Sequence, residues 1–294
     1  MNSVSLIHVI ILAVVQGLAE LLPVSSSAHV VVAEKLLGLD PSAPAMTLLL
    51  VMLHTGTMFA VIVYFWRQWR DTYFRNSETF KRYAWLLIIA TVITGVIGEI
   101  LIKLIEKTAF RGQPKAEVEQ LFSHLELIAP ALAAAGVLIL IAGLYERRRA
   151  NLNVNLQDVD RLTTQKAGLI GVIQGLCLPF RGFSRSGATI STGILAGIPK
   201  LRAEEFSFAL AVILTPFVVG REALRLIKAE HIQTAGALRG AFTPSLLGAL
   251  FAFIAGLLAL KWLSVWLEKG QWYLFGIYCL LAAAGIAALH HIGY

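Results

Sequence analysis

Long apolar stretches alternate with short polar ones along the chain, and the lengths of the apolar stretches carry the first inference. A helix that crosses the hydrocarbon core needs roughly 20 mainly apolar residues. Six windows meet that length: 46–66, 83–105, 125–145, 206–227, 241–267 and 272–291. The fourth contains Pro216, which predicts a break, and it turns polar after Arg221. Apolar residues run all round each window rather than along one stripe, the pattern of a helix in lipid. Segments 5–38 and 168–199 differ, being apolar at their flanks and polar in the middle, where each carries a proline and several serines. Irregular backbone at membrane depth is tolerated only inside protein or beside a watery cavity, so both are expected to be re-entrant helical hairpins with functional tips.

The two interrupted segments also resemble each other: VVQGL at 14–18 recurs as VIQGL at 172–176, and each copy leads into a proline and a serine cluster. A duplication follows, with residues 1–150 as the first repeat and 151–294 as the second, together forming one integrated membrane domain. Each repeat then holds one hairpin and three spans, and an odd number of crossings inverts the second copy. The expected fold is an all-α polytopic membrane protein, an inverted repeat of six transmembrane helices plus two re-entrant hairpins.

Composition sharpens this picture. Of 294 residues 57% are hydrophobic and only 15% charged, against about 25% charged in a soluble chain. Mean hydropathy is +0.73. The net charge of +7 would raise nucleic acid as a partner of a soluble protein, but here the cations sit between apolar runs, so no nucleic acid is expected. Fourteen of them fall on one face of the topology (Arg67, Arg70, Arg75, Lys81, Arg82, Arg147, Arg148, Arg149, Arg161, Lys166, Lys200, Arg202, Lys261, Lys269) and eight on the other (Lys35, Lys107, Arg111, Lys115, Arg221, Arg225, Lys228, Arg239). The positive-inside rule makes the first face cytoplasmic and leaves both termini and the mouth of the first hairpin outside. Two cysteines, Cys177 and Cys279, exclude a disulfide framework and a multi-thiolate zinc site. The N-terminus lacks a basic n-region and is expected to stay in the mature protein.

Candidate chemistry gathers at the two tips. In QGLAELLPVSSSAH (16–29), Gln16 and Glu20 share one helix face ahead of Pro23, Ser25, Ser26 and Ser27 are expected to form a turn, and His29 starts the returning helix. Carboxylate, hydroxyl and imidazole supply an acid or metal ligand, a nucleophile and a proton acceptor. The plainer reading is that the serines cap the second helix and a carbonyl satisfies His29. In PFRGFSRSGAT (179–189), Gly182 and Gly187 admit close backbone approach, Ser184, Ser186 and Thr189 offer hydroxyls, and Arg185 offers a planar fork for phosphate oxygens. A helix restarting near Ser186 would aim its free N–H groups at the same anion. The plainer reading of Arg185 is a structural ion pair with Glu20. A phosphate cradle facing a carboxylate, a hydroxyl and a histidine inside a bilayer implies a lipid-borne phosphate or diphosphate, to be hydrolysed or transported.

At these motifs the chain resembles the undecaprenyl-diphosphatase family, the bacitracin-resistance proteins of bacterial membranes. The first family motif is matched by Gln16, Glu20, LPVSSS and His29, and the second by Gly182, Ser184, Arg185, Ser186 and Thr189. The resemblance covers essentially the whole length. It implies release of the terminal phosphate of undecaprenyl diphosphate, which recycles the lipid carrier for peptidoglycan synthesis and confers bacitracin resistance. It also implies a place in the bacterial inner membrane with the site open to the periplasmic side. The implied catalytic set is Glu20, Ser26, His29 and Arg185. Gln16, Ser25, Ser27, Arg181, Gly182, Ser184, Ser186 and Thr189 would bind diphosphate. The implied cofactor is a divalent cation, Mg or Ca, on Glu20, with no organic cofactor, and the partners are undecaprenyl diphosphate, membrane lipid and a second copy in a homodimer. Two positions depart from the pattern: Gln16 stands where Glu is frequent, and Arg181 where the family has proline. Arg181 would clamp the diphosphate or snorkel to the cytoplasmic side. The rivals are a polyprenyl-phosphate flippase of the same fold and a catalytically altered paralogue.

Overall fold

A computed structural model describes residues 5–39, 44–109, 124–151, 162–230, 235–268 and 270–293. Arg111, Lys115, Arg161 and Lys269 of the charge count lie outside these residues. The described residues form ten α-helices and no strand: α1 Leu6–Leu21, α2 Ser26–Leu36, α3 Pro44–Thr72, α4 Ser77–Ala109, α5 Leu125–Asn151, α6 Thr164–Cys177, α7 Arg185–Leu195, α8 Lys200–Glu230, α9 Ala235–Glu268 and α10 Trp272–His291. Six stretches are long and apolar enough to cross a bilayer, one in each of α3, α4, α5, α8, α9 and α10. The chain is a multi-pass membrane protein.

The two interrupted segments become the short pairs α1–α2 and α6–α7. At 1.5 Å per residue, the 16 residues of α1 span about 24 Å and the 11 of α2 about 16 Å. Helix α1 stops at Leu21 because the residue before Pro23 is driven out of the helical region, and Leu22 is extended at φ −81°, ψ 152°. Two local expectations are corrected. Ser26 and Ser27 do not belong to the turn but form the first residues of α2, with Ser25 alone as its N-cap. Pro216 does not break the fourth span, since α8 continues through it. One carbonyl left without an amide partner is tolerable in a packed helix, and the Thr215 hydroxyl bonds back to the Ala211 carbonyl one residue earlier at 2.8 Å.

Packing sets how deep each pair reaches. Helix α1 runs parallel to α9: a Cβ built on Gly248 would meet Val9, one on Gly17 would fall 2.6 Å from Ala255 Cβ, and one on Gly256 would fall 2.9 Å from Leu21. Leu21, the end of α1, is therefore level with the middle of the apolar stretch Phe242–Val265. Helix α6 runs parallel to α4 in the same manner, with a Cβ on Gly175 falling 2.8 Å from Ile97 and 3.0 Å from the Thr94 carbonyl. Gly17 and Gly175 hold the same place in VVQGL and VIQGL, and each lets its helix sit against a span from the other half of the chain. Valine at Gly17 is expected to cost about 1–3 kcal/mol through overpacking, read as a lower Tm of the detergent-solubilised protein. An unchanged Tm would contradict the close approach of α1 to α9.

One end of the bundle gathers the basic residues. Arg202 of α8 donates to Thr72 of α3 (2.7 Å), Lys200 of α8 pairs with Glu146 of α5 (2.8 Å), and Arg82 of α4 donates to the Leu162 carbonyl just ahead of α6 (3.1 Å). Trp69 donates to the Glu205 carbonyl beneath them, and Phe65 stacks on Phe208. At the opposite end His290 of α10 approaches Glu126 of α5 at 3.4 Å.

Candidate active site

Polar contacts join the two tips. Arg185 Nη2 donates to Glu20 Oε1 at 2.6 Å, the Gly182 N–H donates to Ser27 Oγ at 3.2 Å, and Ser186 Oγ donates to the Leu22 carbonyl at 3.3 Å. These joints have distinct local causes. Ser25 sits at φ 68°, the left-handed region that costs a non-glycine residue roughly 1–2 kcal/mol. Its hydroxyl accepts the Ala28 N–H and contacts Ser27 Oγ at 3.2 Å, holding the strained turn in place. Gly182 is required twice over: its φ is 98°, and a Cβ would fall 2.5 Å from the Ile128 carbonyl. Helix α7 restarts at Arg185, one residue before the expected point, because Ser184 Oγ takes the Gly187 N–H at 3.2 Å and caps it.

Glu20 is the hub. Its Oε2 accepts from Gln16 Nε2 at 3.2 Å and from the Ser26 hydroxyl, while Oε1 takes Arg185. The expected ion pair is present, but it uses only half of the guanidinium: Arg185 Nη1 is buried and has no hydrogen-bond partner among the described residues. An arginine borne on the first residue of α7, with one arm anchored and the other uncommitted, is equipped to take a phosphate oxygen.

His29 is held by partners outside the Glu20 cluster. Its Nδ1 lies 2.8 Å from the Ser25 carbonyl, which only accepts, so Nδ1 carries the proton. Nε2 then presents its lone pair to the Tyr278 hydroxyl at 2.7 Å, with the two rings stacked at 5.7 Å. The Ser25 carbonyl and Tyr278 orient His29, and the bonds from Glu20 go to Gln16, Ser26 and Arg185. Thr189 also points away from the tips. Wholly buried, its hydroxyl is 2.6 Å from Ser207 Oγ of α8 and donates to the Arg185 carbonyl at 2.8 Å, bracing the start of α7 from behind.

The structure adds residues that the motifs do not contain. His54 of α3 donates through Nδ1 to the Leu50 carbonyl at 2.8 Å and brings Nε2 within 3.8 Å of Glu20 Oε2. Tyr278 of α10 covers His29, and Cys279 donates to the Pro23 carbonyl at 3.4 Å behind the turn. Gln174, which matches Gln16 in the repeat, is wholly buried with both amide atoms unpartnered among the described residues. His54 and Tyr278 lie inside windows 46–66 and 272–291, and a polar side chain at such depth is itself a signal. Among the described residues no three His, Cys, Asp or Glu side chains form a metal-binding group.

The whole chain has close relatives. It is 57% identical over 291 residues to a protein of Acinetobacter baylyi named Undecaprenyl-diphosphatase 2, a match that covers 98% of this chain and 99% of that one. An Undecaprenyl-diphosphatase 2 of Burkholderia orbicola is 33% identical over 289 residues, and an Undecaprenyl-diphosphatase 1 of Burkholderia pseudomallei is 34% identical over 289, each covering 95% of this chain and 94% of the relative. Residues 9–285 match the family described as Bacitracin resistance protein BacA, a span that includes both tips and runs from α1 into α10. The chain belongs to the bacitracin resistance protein BacA family.

Proposed function

We propose that this protein is a membrane phosphatase that hydrolyses undecaprenyl diphosphate to undecaprenyl phosphate and phosphate, recycling the lipid carrier for peptidoglycan synthesis and conferring bacitracin resistance. The observation that carries the reading is the joint of the two tips: Ser26 donates to Glu20, whose other oxygen holds Arg185, and Arg185 keeps one arm free at the start of α7. Moving a lipid phosphate across the membrane would use the arginine and the helix N-terminus but gives no purpose to a serine hydroxyl seated on a carboxylate.

Arg185 Nη1 and the N–H groups of α7 hold the terminal phosphate and meet the charge that develops on its oxygens. Gln16, Ser25, Ser27, Ser184, Ser186 and Arg181 shape the cradle, with Thr189 acting through the backbone of Arg185. Ser26 Oγ attacks the terminal phosphorus as its proton passes to Glu20. One Oγ–P bond forms, and the bond from phosphorus to the bridging oxygen breaks, releasing undecaprenyl phosphate. Water then attacks the phosphoserine and loses its proton to His29 Nε2. Oγ leaves phosphorus and regains the proton held by Glu20, and His29 passes its proton to solvent as phosphate departs, which resets the site. A divalent cation, Mg or Ca, fits only as an ion carried in by the diphosphate with Glu20 as its protein ligand, supplying further neutralisation of phosphate charge.

The basic end of the bundle is taken as cytoplasmic, so the first hairpin enters from the periplasmic side of the inner membrane, the second from the cytoplasm, and the site opens to the periplasm. The shared packing of Gly17 and Gly175 supports two inverted repeats, 1–150 and 151–294. A homodimer belongs to the same proposal. Purified protein in detergent is expected to release phosphate from undecaprenyl diphosphate. No release, with lipid instead moved between leaflets in liposomes, would sink the enzyme reading.

A further inference from the structure

A cavity of about 390 Å³ lies between α2 and α10, lined by His29 and Val32 of the one and by Ala282, Gly285, Ile286 and Leu289 of the other. Its size is within the roughly 300–1,000 Å³ usual for a small-molecule site. The α10 positions form one stripe of that helix and continue the line of Tyr278, whose ring stacks on His29. From Tyr278 to Leu289 the helix rises about 16 Å, so the cavity is a groove that starts at the imidazole and runs outward along α10. Apart from His29, no side chain that lines it carries a polar atom.

Gly285 is the informative residue of the groove. It sits in the interior of α10, where glycine costs about 0.5–1 kcal/mol relative to alanine. Other glycines of α10 and α5 answer to packing: a Cβ on Gly276 would fall 2.6 Å from the Leu140 nitrogen, and one on Gly136 would fall 3.0 Å from Cys279 Cβ. A Cβ on Gly285 would meet nothing within 4 Å, and the residue is exposed. Its missing side chain admits no neighbouring helix and instead keeps the groove open. The exposed side of the span Trp272–His291 faces lipid, so hydrocarbon can enter the groove sideways. Lipid tails are as apolar as the lining, so the groove selects by shape and direction and not by apolarity. A bilayer acyl chain competes for it only from bulk, whereas the tail of a diphosphate held at the joint of the tips is tethered beside it at high effective concentration.

We propose that the groove between α2 and α10 seats the first isoprene units of the polyprenyl diphosphate, and that Gly285 is a specificity-determining position because a side chain there would block the tail. This rests on the diphosphatase reading. An extended chain advances about 1.2 Å per bond, so the four main-chain bonds of an isoprene unit cover about 5 Å and about three units fill the groove. Later units pass Leu289 into lipid and are not read. Seating the first ones fixes the direction from which the diphosphate meets Ser26 and Arg185.

The test uses the full-length protein in detergent with Gly285→Leu and, on the same stripe, Ala282→Leu. Phosphate release is measured from dimethylallyl diphosphate, whose single unit ends short of residue 285, and from farnesyl diphosphate, whose three units pass it. Gly285→Leu is expected to lower the farnesyl-to-dimethylallyl ratio of kcat/KM by about 10-fold or more, the low end of what misplaced hydrocarbon costs in an apolar pocket. Its Tm should be unchanged or raised, since leucine is the better helix former. Ala282→Leu should also lower the ratio and serves if Gly285→Leu does not fold. An unchanged ratio in a folded variant, or an equal fall for both substrates, overturns the proposal. Native mass spectrometry of the same proteins adds a readout independent of turnover: the unsubstituted protein should retain undecaprenyl phosphate, and Gly285→Leu should retain less of it. Retention of phospholipid instead, lost on the same substitution, would assign the groove to bilayer acyl chains and overturn the proposal. An unsubstituted protein that releases no phosphate from either diphosphate would overturn the diphosphatase reading, while the retention of undecaprenyl phosphate still decides the groove.

Discussion

Arg185→Ala is expected to lower kcat/KM by about 10²–10³-fold, the usual loss when one donor aimed at developing oxyanion charge is removed. The same substitution also strips Glu20 of its ion-pair partner at a site where the two side chains are only 24% and 15% exposed. Breaking such a pair by removing one partner costs about 3–5 kcal/mol, so a fall in activity alone would not separate catalysis from folding. Arg185→Lys makes the separation. Lysine keeps the positive charge and can still reach Glu20, but it has a single ammonium in place of the two-armed fork, so it cannot hold Glu20 with one arm and phosphate with the other. The expected result is a Tm close to that of the unsubstituted protein with kcat/KM still reduced by at least about tenfold. Full activity in Arg185→Lys would mean that Nη1 takes no phosphate oxygen and that the pair is purely structural.

The sequence made the broad architecture legible because lipid imposes a length and a composition on anything that crosses it. The six windows and the two interrupted segments correspond one to one with six long helices and two short pairs. Helix ends were less legible. Window 46–66 stops where Arg67 begins, whereas α3 runs on to Thr72, since a helix that has left the hydrocarbon satisfies its own backbone and can carry arginines into water. Pro216 misled for a related reason, a proline costing less in a helix packed against neighbours than in an isolated one. At the site, the local motifs disclosed Glu20, Ser26 and Arg185, and the structure joins the two tips through Arg185 and Glu20. The partners of those residues were hidden. His54 and Tyr278 reach the site because α3 and α10 present them at the depth of the tips, a relation between distant segments that no spacing within either segment encodes. Glu34 beside Lys35 reads in sequence as an ordinary charged helix end, whereas the folded chain buries it completely. Thr189 shows the reverse case, a motif residue whose place four positions after Arg185 suggests the cradle but whose hydroxyl serves Ser207 and the backbone.

Ser26→Ala is expected to give the largest loss of all. Ser26 is the first residue of α2, mostly buried, and its hydroxyl donates to Glu20, so its proton already lies on the path to a base. If Oγ is the atom that attacks phosphorus, alanine removes the covalent route and kcat should fall by about 10³–10⁶-fold, as for other serine nucleophiles supported by a base. If Ser26 only positioned water, an alanine would leave room for another water and the loss would be nearer the 10²–10⁴-fold typical of a general acid–base contribution. The ranges meet, so a second measurement decides. His29 is assigned to the second step, where its Nε2 accepts a proton from water after the Tyr278 hydroxyl moves aside. His29→Ala should therefore slow hydrolysis of the intermediate more than its formation, and acid-quenched samples of that variant with undecaprenyl diphosphate should carry phosphate on the peptide containing Ser26. The Ser26→Ala/His29→Ala double variant should carry none. Near-normal turnover in Ser26→Ala, or the absence of a phosphopeptide in His29→Ala that still turns over slowly, would rule out covalent catalysis. It would leave Glu20 to activate water directly, with Arg185 and the α7 N-terminus supplying the same electrostatic stabilisation in a single displacement.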